Sequence, residues 1–254
     1  MRDVQNEIDF RNVEIDKVGV KNLRYPIVLS DKHHDKQQTI ANINMSVSLP
    51  HHFRGTHMSR FIEVLNRHRR EIDIHKMGEI MKDMKKVLDA QSAHLEFEFP
   101  YFIEKEAPVS RAKALMEYKC RFIGSLNDRM KILLGVSVPI ITLCPCSKEI
   151  SQYGAHNQRG EISVLLRFKG FLWIEDVIAL VEDCASCKIY SLLKREDEKY
   201  ITEKAYDNPA FVEDVVRNVA LKFKKKESIT WYQVEVTSYE SIHNHDAYAC
   251  IVKK

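Results

Sequence analysis

One order of strands and helices is predicted twice along this chain, and this repetition constrains the fold more than any other feature. The first half contains two strands, two helices and two further strands, predicted in this order at 18–29, 39–49, 59–68, 73–90, 94–105 and 112–126. The helices have apolar residues at three- and four-residue spacing, whereas the strands alternate apolar and polar residues. The first half is therefore predicted to fold as ββααββ.

The second half repeats this order. Its strands and helices are predicted at 132–144, 161–168, 173–186, 208–223, 230–241 and 245–252. The last helix is predicted to begin at Asn208 and Pro209, because asparagine caps helices and proline fits their first turn. We therefore expect an α+β chain with two tandem modules, at 18–127 and 128–254, after an N-terminal extension at 1–17.

The composition excludes several classes of protein. The chain of 254 residues has a formal net charge of only +3, which gives no reason to expect a nucleic-acid partner. It contains no apolar run of about 18 residues, and its charged N-terminus is unlike a signal peptide, so we expect a cytoplasmic protein with no membrane partner. Its eight glycines do not form the phosphate-binding pattern of a Rossmann or P-loop enzyme.

The six cysteines include two close pairs, Cys144 with Cys146 and Cys184 with Cys187. These four thiols could hold a structural zinc ion, although one-residue spacing across a proline lies outside the usual spacing of zinc ligands. A structural disulfide is not expected, because cytoplasmic thiols are kept reduced. The remaining two cysteines lie in apolar, strand-like segments and are predicted to be ordinary buried residues: Cys120 and Cys250.

A second interpretation of the thiols is a catalytic metal site. Cys144 lies at the end of a predicted strand, His156 lies in the loop before the next strand, and the charged segment 195–200 follows a helix. A thiolate, an imidazole and a carboxylate are a suitable ligand set for a borderline divalent ion, which would activate water for hydrolysis. By spacing alone, a packed thiol and a surface histidine are equally compatible with these positions. In an extended chain, Cys144 and Cys146 would point the same way.

Six segments together resemble the type IB GTP cyclohydrolases. In chain order they are VGVKNLRYPI, GTHMSRF, TLCPCSKEISQYGAHNQRGEISV, LKREDEKY, NPAFVEDVVRNVA and ESIHNHDAYA. The resemblance implies the bimodular tunnelling fold (T-fold), in which modules with antiparallel sheets and helices on one face assemble into an oligomeric barrel, here a homotetramer, with active sites between subunits. It also implies hydrolytic opening of the imidazole ring of GTP, which gives 7,8-dihydroneopterin triphosphate and formate in folate and pterin biosynthesis.

The same resemblance implies one divalent metal ion per site, either zinc, manganese(II) or iron(II), held by Cys144, His156 and Glu198. Cys144 and His243 are the implied catalytic residues, and His243 would transfer a proton to the departing ring nitrogen. His245 is an alternative for this role, because residues two apart in an extended segment lie on the same side.

For the substrate GTP, the resemblance implies that Glu213 anchors the base, since a carboxylate accepts hydrogen bonds from guanine N1–H and the exocyclic amine. A helix-end acid is the alternative interpretation of Glu213. The implied triphosphate contacts are Arg60, Lys194, Arg195 and His57, which would come from different subunits. Each of these is otherwise a solvent-exposed polar side chain.

Two other functions are compatible with the sequence. One is a related cyclohydrolase whose product is the cyclic phosphate of 7,8-dihydroneopterin, which product analysis would identify. The other is a non-enzymatic module stabilised by zinc on the two cysteine pairs. That module would have four thiolate ligands and would unfold when zinc is chelated.

Overall fold

Every predicted strand and helix has a counterpart in the computed structural model, which describes residues 4–68, 74 and 76–253. The elements of the first half are β1 (Ile15–Asp31), β2 (Asp35–Leu49), α1 (Met58–His68), α2 (Met77–Val87), β3 (Ala93–Glu106) and β4 (Lys113–Leu126). A short 3-10 helix precedes them at Val4–Asn6. The predicted helix at 73–90 corresponds to α2. Positions 73 and 75 of this prediction lie outside the described residues.

The second half contains three elements that the periodicity did not predict, a helix at Pro145–Ile150 (α3), a two-residue strand at Cys187–Lys188 (β7) and a helix at Arg195–Asp207 (α5). Its full series is β5 (Met130–Leu143), α3 (Pro145–Ile150), β6 (Asn157–Phe168), α4 (Ile174–Glu182), β7 (Cys187–Lys188), α5 (Arg195–Asp207), α6 (Val212–Lys224), β8 (Ile229–Ser238) and β9 (Ala247–Val252). Helix α5 buries only Asp197, Ile201 and Ala205. Because an acid occupies one position of this narrow face, hydrophobic periodicity gives a weak signal there.

The chain divides into two units. The first unit contains Met1–Pro100 and Arg121–Leu134, and the second contains Tyr101–Cys120 and Gly135–Lys254. Strands β3, β4 and β5 each contribute residues to both units. The module boundary predicted between residues 127 and 128 stays a prediction.

In the first unit, β1 and β2 form an antiparallel pair, and β2 pairs in turn with β3. Helix α2 follows the predicted three- and four-residue spacing, and its buried apolar side chains are Met77, Ile80, Met81 and Met84. An amphipathic helix of this kind is stabilised by burying one stripe. The α+β class with antiparallel strands is thus confirmed.

In the second unit, the strand order is β5-β6-β8-β9, with β7 paired to β5. Strand β6 pairs with β8 in antiparallel register, and Gly160 lies opposite Ser238. A Cβ atom added at Gly160 would lie only 2.6 Å from the carbonyl oxygen of Thr237. Glycine at this position therefore lets the beginning of β6 approach the end of β8 closely.

Helix α6 begins at Val212, so the predicted start at Asn208 and Pro209 is wrong. Asn208 instead closes α5, and its Nδ2 donates a hydrogen bond of 3.0 Å to the carbonyl of Ala185. The carboxylate of Asp214 accepts the N–H of Phe211 over 3.1 Å. This side chain satisfies a free N–H of the first turn, which is why the helix begins there.

Helix α5 packs onto the end of β5 through a small apolar cluster. Its buried members are Leu143 of β5, Cys187 of β7, and Ile201 with Ala205 of α5. Cys187 is therefore a packing residue in this chain, and α5 is held beside the end of the strand that leads to Cys144.

A buried carboxylate fixes the beginning of α5. Asp197 is fully buried, and its Oδ1 accepts the N–H groups of Val109 and Ser110 over 2.8 and 2.9 Å. Its Oδ2 accepts the hydroxyl of Ser110 over 2.5 Å and the N–H of Lys194 over 2.8 Å. The turn between β3 and β4 is thereby tied to the segment that carries Lys194.

The two isolated cysteines differ in environment. Cys120 is buried, as predicted, and burial raises the pKa of its thiol. Cys250 is exposed, so the prediction of burial is wrong for this residue. It lies on β9, the last strand in the order, where every second side chain is exposed.

No helix within residues 4–68, 74 and 76–253 combines the length and the hydropathy that a membrane span requires.

Candidate active site

One pocket of about 300 Å³ lies in the second unit, where the ends of several strands meet the beginning of α6. Five residues singled out in the sequence line this pocket: Cys144, His156, Glu213, His243 and His245. Concave sites with a few converging polar groups are the usual places for small-molecule binding. Segments that are far apart in the sequence therefore converge on a single candidate site.

Backbone hydrogen bonds hold Cys144 and His156 next to each other. The N–H of Cys144 donates to the carbonyl of His156 over 3.1 Å, and the N–H of His156 donates to Oγ of Ser147 over 3.1 Å. The same Ser147 hydroxyl donates to the carbonyl of Cys144 over 3.2 Å. The loop before β6 is thereby closed against the end of β5.

The segment after β5 forms a helix instead of an extended chain. Cys144 caps α3, Pro145 occupies its first turn, and Sγ of Cys144 accepts the N–H of Ser147 over 3.4 Å. Proline suits this position because its ring has a helical φ and no N–H to satisfy. Cys146 is exposed within α3. In an extended chain the two thiols would point the same way, but here Pro145 begins a helical turn between them.

The implied metal ligands are brought together only in part. Cys144 and His156 line the pocket, whereas Glu198 is exposed on α5 and does not line it. Among the described residues, no three His, Cys, Asp or Glu side chains are arranged to hold a metal ion. A thiolate and an imidazole suit a borderline divalent ion as two of its ligands. The donor types in the pocket therefore fit the implied metal, and the third ligand stays a prediction.

The four-cysteine zinc site is wrong for this chain. Cys144, Cys146, Cys184 and Cys187 all belong to the described residues, and they form no metal-binding group. Cys184 and Cys187 are buried, and burial raises the pKa of both thiols. Cys187 packs in the apolar cluster with Leu143, whereas Cys146 is exposed on α3.

A main-chain hydrogen bond brings Glu213 to the same pocket. The N–H of Ala210 donates to the carbonyl of Leu143 over 3.1 Å, which ties the connection before α6 to the end of β5. Glu213 then lies in the first turn of α6 with an exposed side chain. Within the described part of the chain no ion pair holds its carboxylate, which is therefore available to a ligand.

His243 and His245 lie in the connection between β8 and β9, and both line the pocket. Their rings stack with centroids 5.1 Å apart and planes inclined by 23°. Nδ1 of His243 lies 3.4 Å from Oε2 of Glu240. This carboxylate favours His243 over His245 as the oriented imidazole, although the choice between them stays a prediction.

The implied triphosphate contacts lie on two different helices. Lys194 and Arg195 are exposed at the beginning of α5. Arg60 belongs to α1 in the first unit, where its Nη1 donates to the carbonyl of Val87 over 3.2 Å, and His57 precedes the same helix. Their roles toward a triphosphate stay predictions.

The pocket also contains residues that the sequence analysis did not single out, and Gln158 and Glu240 are the two that contact the proposed histidines. The amide of Gln158 donates to the hydroxyls of Thr142 and Ser238 over 3.1 and 3.0 Å. Gln158 follows His156 by two residues, and Glu240 precedes His243 by three. A polar residue within three positions of each proposed histidine could have indicated these two residues in the sequence, because functional histidines are commonly oriented by such neighbours.

Solved structures with a similar fold include uricases. The uricase from Bacillus fastidious matches with a TM-score of 0.58 and 5% identity, over 94% of this chain and 92% of that one. The uricase from Arthrobacter globiformis matches with a TM-score of 0.53 and 9% identity, over 94% of both chains. At such low identity the similarity concerns the fold alone.

Sequence relatives cover nearly the whole chain. The GTP cyclohydrolase FolE2 of Syntrophotalea carbinolica is 59% identical over 251 residues, which are 99% of this chain and 94% of the relative. Those of Geobacter sulfurreducens and Nitrosococcus oceani are 57% and 52% identical and are covered over 97% and 96% of their lengths. The family model of the type I GTP cyclohydrolase FolE2 matches residues 1–249. With its pocket built from the segments that carry the resemblance, the chain belongs to the FolE2 family of type I GTP cyclohydrolases.

Proposed function

We propose that this chain hydrolyses GTP to 7,8-dihydroneopterin triphosphate and formate, the first step of folate and pterin biosynthesis. The observation that carries the proposal is the convergence of Cys144, His156, Glu213 and His243 on one pocket. These side chains supply a soft metal ligand, an imidazole ligand, an acceptor for the base and a proton-transfer group. The reaction requires all of these functions.

Glu213 is the proposed anchor of the guanine base. Its carboxylate is exposed in the pocket at the first turn of α6. The two oxygens can accept hydrogen bonds from N1–H and the exocyclic amine of guanine, whereas adenine lacks this pair of donors. The site would therefore select GTP over ATP.

Cys144 and His156 are the proposed protein ligands of one divalent ion, with Glu198 of α5 as a third. Zinc, manganese(II) and iron(II) all suit a mixed set of thiolate, imidazole and carboxylate. When bound, such an ion supplies the acidity that makes water nucleophilic near neutral pH. The main-chain bond between Cys144 and His156 holds the two ligands at one place.

His243 is the proposed proton-transfer residue for the ring nitrogen that departs when the imidazole ring opens. Neutral and protonated imidazole are both accessible near neutral pH, so one side chain can accept and return a proton. Oε2 of Glu240 lies 3.4 Å from its Nδ1. The carboxylate would hold the ring with Nε2 available to the substrate.

We further propose that the active enzyme is a homo-oligomer, a homotetramer in the bimodular tunnelling fold. Arg60, His57, Lys194 and Arg195 would then bind the triphosphate from different subunits. Arginine offers a planar fork to phosphate, whereas lysine acts as a point charge. We expect the protein in the cytoplasm, where its cysteines stay reduced.

The test is incubation of the metal-free protein with GTP after addition of Zn²⁺, Mn²⁺ or Fe²⁺. Formate release and pterin fluorescence after oxidation report ring opening, and ATP is the matched control substrate. Anion-exchange chromatography of the product separates the triphosphate from a cyclic phosphate. Absence of turnover with every metal would contradict the proposed function.

A further inference from the structure

The side chain of Gln158 contacts groups from three strands or their ends. It is only 9% exposed. Its Nε2 lies 3.1 Å from the hydroxyl of Thr142, 3.0 Å from that of Ser238 and 3.3 Å from Oε1 of Glu240. Its Oε1 lies 2.9 Å from Nδ1 of His156. One amide therefore connects a histidine on one side with a carboxylate on the other.

The orientation of this amide follows from the chemistry of Glu240. A carboxylate oxygen only accepts hydrogen bonds, so the NH₂ group of Gln158 must face Glu240 and its carbonyl must face His156. A carbonyl also only accepts, so Nδ1 of His156 must carry the proton. The neutral ring of His156 then has its lone pair on Nε2, which is the atom left for a metal ion.

The same carboxylate fixes the second histidine. Oε1 of Glu240 accepts from Gln158 and from the hydroxyl of Ser238 over 3.0 Å, while Oε2 faces Nδ1 of His243 over 3.4 Å. Because Oε2 can only accept, Nδ1 of His243 is the donor. The imidazole that transfers the proton is thereby left with Nε2 for the substrate.

Two buried hydroxyls hold the amide in place. Thr142 and Ser238 are each 2% exposed, and their hydroxyls are 2.9 Å apart. Thr142 belongs to β5 and Ser238 to β8, which pair with β6 on its two sides. The amide of Gln158 is thus fixed by the sheet instead of by the connection between β8 and β9 that carries His243.

We infer that Gln158 is a positioning residue that orients His156 directly and His243 through Glu240, so that one side chain prepares both the metal ligand and the proton-transfer group. This inference rests on the proposed function for the roles of the two histidines. The alternative is a buried polar network that satisfies hydrogen bonds and contributes only to stability.

Two substitutions separate these roles. Gln158→Leu removes both ends of the amide, whereas Gln158→Glu keeps an acceptor for His156 and removes the donor to Glu240. The matched control is Gln233→Leu, because Gln233 donates to Glu235 over 2.6 Å in β8 but does not line the pocket. Co²⁺ serves as the spectroscopic probe of the metal site.

We expect Gln158→Leu to weaken Co²⁺ binding by about 10- to 100-fold and to change the visible absorption of bound Co²⁺. Gln158→Glu should bind Co²⁺ within about threefold of the native protein, because the contact to His156 persists. Both variants should lower kcat at saturating metal by about tenfold or more with a smaller change in KM. Gln233→Leu should match the native protein in all three measurements.

The inference is overturned if Gln158→Leu binds Co²⁺ with native affinity and spectrum, or if Gln158→Glu retains native kcat. If Gln158→Leu does not fold, the kcat of Gln158→Glu by itself tests whether Gln158 is a positioning residue. A native protein that does not open GTP with any metal would contradict the proposed function instead, and the Co²⁺ titrations would still decide whether Gln158 orients His156.

Discussion

The main-chain N–H of Cys144 donates a hydrogen bond of 3.1 Å to the carbonyl oxygen of His156. The position of both residues therefore depends on the backbone and on the hydroxyl of Ser147, and only weakly on the thiol itself. A change confined to the side chain of Cys144 should leave this frame intact. Loss of function in such a variant can then be assigned to ligand chemistry.

Cys144→Ser should lose metal and GTP turnover while it remains folded, because a neutral hydroxyl is a poor substitute for a thiolate ligand. Cys146→Ser makes the same change of side chain and is the control. We expect it to retain metal, because Cys146 is exposed and does not line the pocket. Metal content of the purified variants and circular dichroism check both statements. Equal metal loss in the two variants would argue against Cys144 as the specific ligand.

Glu213→Gln should weaken GTP binding with little effect on metal content. The amide keeps the shape of the side chain but presents an NH₂ group to a donor of the guanine base, which leaves that donor unpaired. We expect a loss of about 1–3 kcal/mol in binding free energy. Titration with GTP in the absence of turnover measures this loss of binding free energy. Asp214→Gln is not a suitable control, because Asp214 caps α6. Arg217→Gln, on the same helix but outside the pocket, is the better control.

His243→Ala should bind metal and GTP but turn over about a hundredfold more slowly or worse, the usual range for general acid–base groups. His245→Ala, its stacked neighbour, should lose less. Single-turnover rates at saturating GTP separate chemistry from binding. A larger loss in His245→Ala would exchange the two roles.

Asp197→Asn should destabilise the second unit in a pH-dependent manner. Burial of the Asp197 carboxylate raises its pKa, but the hydrogen bonds from Ser110, Lys194 and Val109 together outweigh this effect and hold the pKa below its usual value of 3.8. A lowered folded-state pKa gives stability that is fully present above pH 3.8 and is lost as the pH falls toward the folded value. The native protein should therefore melt several degrees above the variant at neutral pH.

Thermal unfolding of native protein and variant between pH 7 and pH 3 measures this difference, which should be constant at first and narrow below about pH 4. Asp214→Asn is the matched control, since its carboxylate is half-exposed and accepts, among the described groups, one N–H from Phe211 beside a surface contact of 3.9 Å to Arg217. A difference in melting temperature that does not change with pH would show that the charge of Asp197 is not the cause.

Most of the fold could be predicted because apolar periodicity reports which face of an element is buried. The strands β1, β2, β6 and β8 and the helices α2 and α6 have such patterns. Helix α5 does not, because its buried face includes Asp197, whose partners Val109 and Ser110 lie far away in the sequence. A local pattern cannot show that a carboxylate will be buried by groups from a distant hairpin.

The sequence by itself predicted the site residues Cys144, His156, Glu213 and His243, since each lies in a short segment that resembles the family. Only the tertiary structure decided that these segments meet in one pocket and that Gln158 and Glu240 lie between the two histidines. The physical reason is that the contacts of Gln158 depend on the pairing of β5, β6 and β8. Strand pairing is set by burial over the whole sheet, which no single segment contains.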